Sequence, residues 1–93
     1  SKSPTMQLSR VVVSAHPGIT AAVAARLVRA VRRTRSIVLL RCGERTGNAA
    51  NIFSVLALCA AMGTTVEVQA CGEDEAQAAG AVEKILSEPA GDF

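Results

Sequence analysis

The chain's single histidine, His16, lies four residues before Thr20, in the run Ser14-Ala15-His16-Pro17-Gly18-Ile19-Thr20 that opens an alanine-rich segment. An imidazole nitrogen is a nucleophile at neutral pH and can take up a phosphoryl group or a proton. A helix N-terminus offers unpaired N–H groups and a partial positive charge, and so seats anions. A histidine beside such a terminus suits phosphoryl carriage or base catalysis, and is equally compatible with an exposed loop side chain that does no chemistry. Thr20 suits an N-cap, because its hydroxyl accepts from an N–H one turn into the helix. The backbone amides of Ala21, Ala22 and Val23 are the ones a free anion would meet.

The elements that position these residues follow from hydrophobic spacing. Leu8 to Ser14 contains Val11-Val12-Val13 and reads as a strand, which Pro17-Gly18 ends. From Thr20 a helix is expected to run to about Thr34, with Ala24, Leu27, Val28 and Val31 as its buried stripe and Arg26, Arg29, Arg32 and Arg33 around the remainder. Ser36 to Arg41 is a second strand, Cys42-Gly43-Glu44 a turn, and Arg45 to Asn48 a short third strand. Asn51 is a second N-cap, opening a short helix with Ile52, Phe53, Val55, Leu56 and Leu58, which is apolar around most of its circumference. Thr65 to Cys71 alternates with period two, so it buries one face, leaving Glu67 and Gln69 to point outward. Glu73-Asp74-Glu75 places negative charge where the last helix begins, and Ala78, Ala79, Val82, Ile85 and Leu86 form its stripe. The order strand, helix, strand, strand, helix, strand, helix buries every stripe if the helices cover one face of a four-stranded antiparallel sheet.

The whole chain sets bounds on function. Ninety-three residues make one domain. Residues 1–7 are expected to be a flexible lead-in, 8–88 the domain and 89–93 a tail. Only two residues, Phe53 and Phe93, are aromatic, so the core is built from Val, Ile, Leu and Ala. No apolar run approaches the roughly 20 residues of a membrane span, so no membrane partner is expected. Cys42, Cys59 and Cys71 are odd in number and lack CxxC spacing, which points to reduced thiols in a cytoplasmic protein. Charge is divided unevenly. Nine Lys or Arg residues stand against one acid in residues 1–50, and one lysine against seven acids in residues 51–93. A basic patch of this kind suits an acidic protein surface, a phosphate or a nucleic acid, and is also compatible with a solvated helix face. Nucleic acid is disfavoured, since the sheet offers no aromatic stacking residues and no recognition motif is present. A free-standing enzyme is disfavoured too, for lack of a metal-ligand cluster, an acid–base pair or a glycine-rich phosphate loop, and no cofactor is expected.

The chain resembles HPr, the histidine-containing phosphocarrier of the bacterial sugar phosphotransferase system, over residues 8–88. The resemblance rests on the element order, the Ala24-Ala25-Arg26-Leu27-Val28 segment, Met62-Gly63-Thr64 before the last strand, and Gly72-Glu73-Asp74-Glu75 before the last helix. It implies an α+β open-faced sandwich, β-α-β-β-α-β-α, with a four-stranded antiparallel sheet and three helices on one face. The family's site pattern is Gly-Leu-His-Ala-Arg-Pro-Ala, where this chain has Gly18-Ile19-Thr20-Ala21-Ala22-Val23-Ala24. Thr20 stands at the acceptor histidine, Ala22 at the phosphate-holding arginine and Val23 at the proline. The family's regulatory serine is Asn51, which caps a helix as well as serine does but accepts no phosphoryl group. A threonine hydroxyl without a base is a poor nucleophile, and its phosphate ester is too stable to hand on. Two functional readings remain. One is a non-phosphorylatable docking or regulatory module; the other is a divergent phosphocarrier using His16.

By the resemblance, partners dock around the first helix and the short second helix, where Arg29, Arg32, Asn51, Ile52, Phe53 and Leu56 form an apolar centre with an arginine rim. Expected partners are phosphotransferase-system proteins such as Enzyme I or sugar-specific Enzyme II components, or a transcriptional regulator or kinase that reads HPr. Ile52 and Leu56 are equally compatible with partial core packing, which leaves Phe53 as the best exposed anchor.

Overall fold

The computed structural model describes residues 6–89. Its elements run β1 (Met6–Val12), α1 (Ala21–Arg32), β2 (Ser36–Cys42), β3 (Arg45–Asn48), α2 (Ile52–Leu56), β4 (Thr65–Gly72) and α3 (Glu75–Ser87). This is the order expected from the sequence. The strands form one antiparallel sheet in the order β1-β4-β2-β3, so the last strand in the chain lies at the centre. The helices cover one face. Beneath them Val38, Leu40, Val66, Val68 and Ala70 are fully buried, and Leu27, Val82 and Leu86 close over them from above.

Several boundaries differ from the sequence expectation: β2 and β4 each run one residue further, to Cys42 and Gly72, α2 stops at Leu56 and leaves out Leu58, and β1 and α1 differ more. The first strand is shifted, running from Met6 to Val12 rather than from Leu8 to Ser14. Met6 and Gln7 pair with Cys71 and Ala70 and so belong to the sheet instead of to the expected lead-in. At the other end Val12 faces Thr65, the first residue of β4, and no further strand partner remains. Val13 bonds instead to the turn, its N–H to Thr64 O at 2.9 Å and its carbonyl to Gly63 N at 2.8 Å, and the Ser14 N–H turns to Leu86 O at 2.9 Å. The first helix stops at Arg32 rather than about Thr34. There Thr34 donates both its N–H and its hydroxyl to Val31 O, at 2.9 and 2.7 Å, and the last turn tightens. Residues 1–5 and 90–93, expected to be lead-in and tail, lie outside the described residues.

Folding brings the basic and acidic halves together. Arg26 pairs with Glu88 at 2.7 Å, Arg35 with Glu73 at 3.2 Å and Arg10 with Glu67 at 3.8 Å. Such half-exposed pairs contribute little stability each, but they consume part of the basic character of residues 1–50. The start of α3 is tied down more firmly. The Asp74 carboxylate accepts the Ser36 hydroxyl at 2.6 Å and the Arg35 N–H at 3.0 and 3.1 Å, rather than capping its own helix.

The Ser36 hydrogen bond is the main cause holding the Asp74 carboxyl below its ordinary pKa, with the Arg35 N–H adding to it. A carboxylate favoured by the fold stabilises it fully above the unfolded group's pKa of about 4, and that stabilisation is lost as the pH falls through the lower folded value. Asp74→Ala is therefore expected to unfold at lower urea concentration than the parent between pH 5 and 7, and the two midpoints should converge as the pH drops below about 4. A gap that stays constant across that range would show that the carboxylate charge is not the source.

Candidate functional site

The first helix begins with Thr20 as its N-cap. The residue is extended (φ −89°, ψ 176°), its Oγ1 accepts from Val23 N at 3.4 Å and its carbonyl accepts from Ala24 N at 2.8 Å. Of the three residues whose amides were candidates for a free anion, Ala21 and Ala22 are exposed, whereas Val23 is buried and its N–H is already engaged by Thr20. No basic side chain occupies this first turn, since the arginines of α1 begin at Arg26.

The loop leading into α1 is fastened to the segment between α2 and β4. Ile19 N donates to Ala60 O at 2.9 Å, Met62 N donates to Pro17 O at 3.0 Å, and Gly18 bridges to Ala61. Gly18 has φ +150°, and a Cβ there would lie 2.4 Å from Ala60 O, so only glycine fits. His16 precedes this fastened stretch. It is exposed and no hydrogen bond reaches its side chain among the described residues. Its imidazole stands apart from the helix terminus in sequence, and the intervening backbone at 17–19 is committed elsewhere.

The second helix completes the surface. The Asn51 Oδ1 accepts from Phe53 N at 2.9 Å and Ser54 N at 3.1 Å, the expected N-cap. Ile52 and Leu56 are half-buried and pack against the core, whereas Phe53 is 78% exposed. Arg32 donates its Nε to Ala50 O at 3.2 Å and so links the end of α1 to the start of α2. Arg29, one turn earlier on the same helix face, is exposed. The structure thus gathers Arg29, Arg32, Asn51 and Phe53 at the α1–α2 junction and withdraws Ile52 and Leu56 partly into the core.

Comparison with known proteins agrees with this geometry. A family model described as the PTS HPr component phosphorylation site matches residues 8–88. The chain belongs to the HPr family. Among solved structures it is similar to the phosphocarrier protein HPr of Bacillus anthracis, with 26% identity and a TM-score of 0.84 over 88% of this chain and 98% of that one. It is similar to the histidine-containing phosphocarrier protein of a mycoplasma, with 25% identity and a TM-score of 0.79 over 85% and 90%. HPr-C-His of Thermoanaerobacter tengcongensis shares the fold, at 22% identity and a TM-score of 0.85 over 94% and 98%. No curated protein sequence matches the chain. The family is one of phosphocarriers of the phosphotransferase system rather than of free-standing enzymes, and no helix among the described residues is long and apolar enough to cross a membrane.

Two residues of this region were not apparent from the sequence. Met62 is 51% exposed and its N–H bonds to Pro17, which sets a second flexible apolar side chain beside the loop into α1. In the sequence it stood only within the Met62-Gly63-Thr64 run that carries part of the resemblance. Cys59 has φ +53°, a left-handed conformation that glycine adopts without penalty and other residues do not. No local sequence signal announces a cysteine there, since the conformation is imposed by joining α2 to the segment fastened under Gly18.

Two outcomes follow for stability. Thr20→Ala is expected to lower unfolding free energy by about 0.5–1 kcal/mol, read from urea denaturation, and Thr20→Asp to restore it, because a carboxylate caps as well. Cys59→Gly is expected to raise stability by up to about 1 kcal/mol by removing the left-handed penalty, while Cys59→Ala, which retains that penalty, gains nothing.

Proposed function

We propose that this HPr-family chain acts as a docking or regulatory module of the phosphotransferase system and does not itself carry a phosphoryl group. The observation that carries this reading is the state of Thr20. At the position where the family's pattern places the acceptor histidine, the side chain serves as a helix cap, with its oxygen turned to the Val23 N–H. Phosphoryl carriage needs a nucleophile whose product is labile enough to pass on, and a cation to hold the group. Among the described residues the hydroxyl bonds only to the Val23 N–H, and no base bonds to it. Ala22, where the family has arginine, offers no charge. Asn51, at the regulatory serine position, caps α2 and has no hydroxyl to modify.

His16 is a poor replacement acceptor on this geometry. His16 stands four residues before the N-cap, and the chain between them is fixed by its bonds to residues 60–62 and by the Gly18 slot, which admits no side chain. The docking surface of the family is supported in composition, with Phe53 as anchor and Arg29 and Arg32 as rim. The partners this surface suits are Enzyme I, a sugar-specific Enzyme II component, or a regulator or kinase that reads HPr, acting in the cytoplasm.

Incubation with Enzyme I and phosphoenolpyruvate, followed by intact mass measurement under neutral conditions, is expected to give no acid-labile phosphoryl adduct. A phosphohistidine at His16 would overturn the reading. Calorimetric titration is expected to show binding to at least one phosphotransferase-system protein, weakened about tenfold or more, equivalent to about 1.4 kcal/mol, by Phe53→Ala. Absence of binding to every such protein would remove the docking role.

A further inference from the structure

The exposed large apolar side chains among the described residues fall into two groups on opposite sides of the molecule. Phe53 and Met62 lie on the helical side. Met6 (57%), Leu8 (56%), Val12 (50%) and Ile37 (65%) all lie on the sheet face that no helix covers. Strand register arranges this open face in rows. Met6, Cys71 and Ile37 form one row; Leu8, Gln69, Leu39 and Asn48 the next; Arg10, Glu67, Arg41 and Thr46 the third; Val12 and Thr65 the last. Aliphatic side chains therefore sit beside a charged row, on a rigid four-stranded platform.

Charge within that row is unbalanced. The Glu67 carboxylate accepts from Gln69 Nε2 at 3.2 Å and pairs with Arg10 at 3.8 Å, so it is engaged from one side. Arg41 flanks it on the other strand, and its Nε donates to Gly43 O at 3.2 Å, a carbonyl rather than a carboxylate. An open notch of about 310 Å³ is lined by Arg10, Arg41, Gly43, Thr65 and Glu67. Two guanidinium groups thus border a notch holding one carboxylate, next to exposed aliphatic rows.

We infer that the open face of the sheet is a second protein-docking surface, whose occupant is an acidic segment with a carboxylate paired to Arg41 and aliphatic side chains laid over Leu8, Ile37 and Met6. The row carries two guanidinium groups against one carboxylate, and a partner carboxylate supplies the charge that Arg41 lacks. The helices lie on the other side of the sheet, so this surface is independent of the α1–α2 junction, and both can be occupied at once.

The test uses the full 15N-labelled chain and an acetylated, amidated decapeptide alternating aspartate with leucine and valine. Amide shifts are expected to concentrate in 6–12, 37–41 and 65–71. The Arg10→Glu/Arg41→Glu double variant is expected to weaken binding about tenfold or more, equivalent to about 1.4 kcal/mol, while the charge reversal Lys84→Glu on α3 leaves it unchanged. Dispersed spectra of each variant establish that it is folded. Equal shifts with a lysine-for-aspartate peptide, or no shifts on this face, would overturn the inference. So would shifts at these residues on diluting the protein alone, which would make a second copy the occupant.

Discussion

The backbone at Gly18 lies so close to Ala60 that a single methyl group would not fit between them, and the placement of both short connections around the first helix depends on that contact. Hydrogen bonds on either side, from Ile19 to Ala60 and from Met62 to Pro17, hold the loop into α1 against the segment that leaves α2. The two segments are some forty residues apart in sequence. Their junction fixes where α1 starts, hence where Thr20 caps it, and obliges the chain to turn through a left-handed residue at Cys59. Farther along the same two segments, Val13 bonds to Gly63 and Thr64, and at the other end of α1 the Arg32 to Ala50 bond joins it to the start of α2.

Electrostatics act on top of that framework rather than creating it. The arginine-rich half of the chain is folded against the acid-rich half, and Arg10, Arg26 and Arg35 each find a glutamate from beyond residue 60. What the pairing leaves over is distributed by face. Arg29 and Arg32 remain at the α1–α2 junction, Arg33 at the end of α1, Arg45 on β3 and Arg41 on the open sheet. A sequence that looks basic in one half and acidic in the other therefore folds into a molecule whose unpaired arginines are spread over separate edges.

Much of this architecture was legible from local pattern, because each element carries its own period and its own cap. Of the expected α1 stripe, Ala24, Leu27 and Val31 are buried and Val28 is half-buried against the core, and Thr20 and Asn51 cap the helices they precede. The alternation in Thr65 to Cys71 gave the correct buried face of β4. Most exceptions are long-range, and one is a competing local bond. β1 is displaced by two residues because its limits are set by where β4 begins, and Thr34 ends α1 through a bond that competes with helix continuation. The central place of β4, and with it the row Arg10–Glu67–Arg41, arises from pairing strands that no local signal associates. Exposure at the site divides in the same way. Phe53 on a five-residue helix was readable as an anchor, but the partial burial of Ile52 and Leu56 depends on how that helix rests on the core.

The helix caps explain how a phosphocarrier fold tolerates residues that lack the carrier's chemistry. At both positions where the family's pattern places a phosphorylatable side chain, this chain has a residue whose physical task is to satisfy backbone N–H groups, Thr20 for α1 and Asn51 for α2. An uncapped helix start leaves several donors unpaired, and a good cap is worth about 1 kcal/mol in a domain of small total stability. The fold's need at these positions is thus for a short acceptor side chain, and an imidazole or a modifiable hydroxyl is a further demand set by function alone. The capping requirement by itself restricts the choice to the residues that do it well, among which threonine and asparagine stand high. The arginine of the family pattern stands where this chain has Ala22, an exposed position in the first turn that caps no helix.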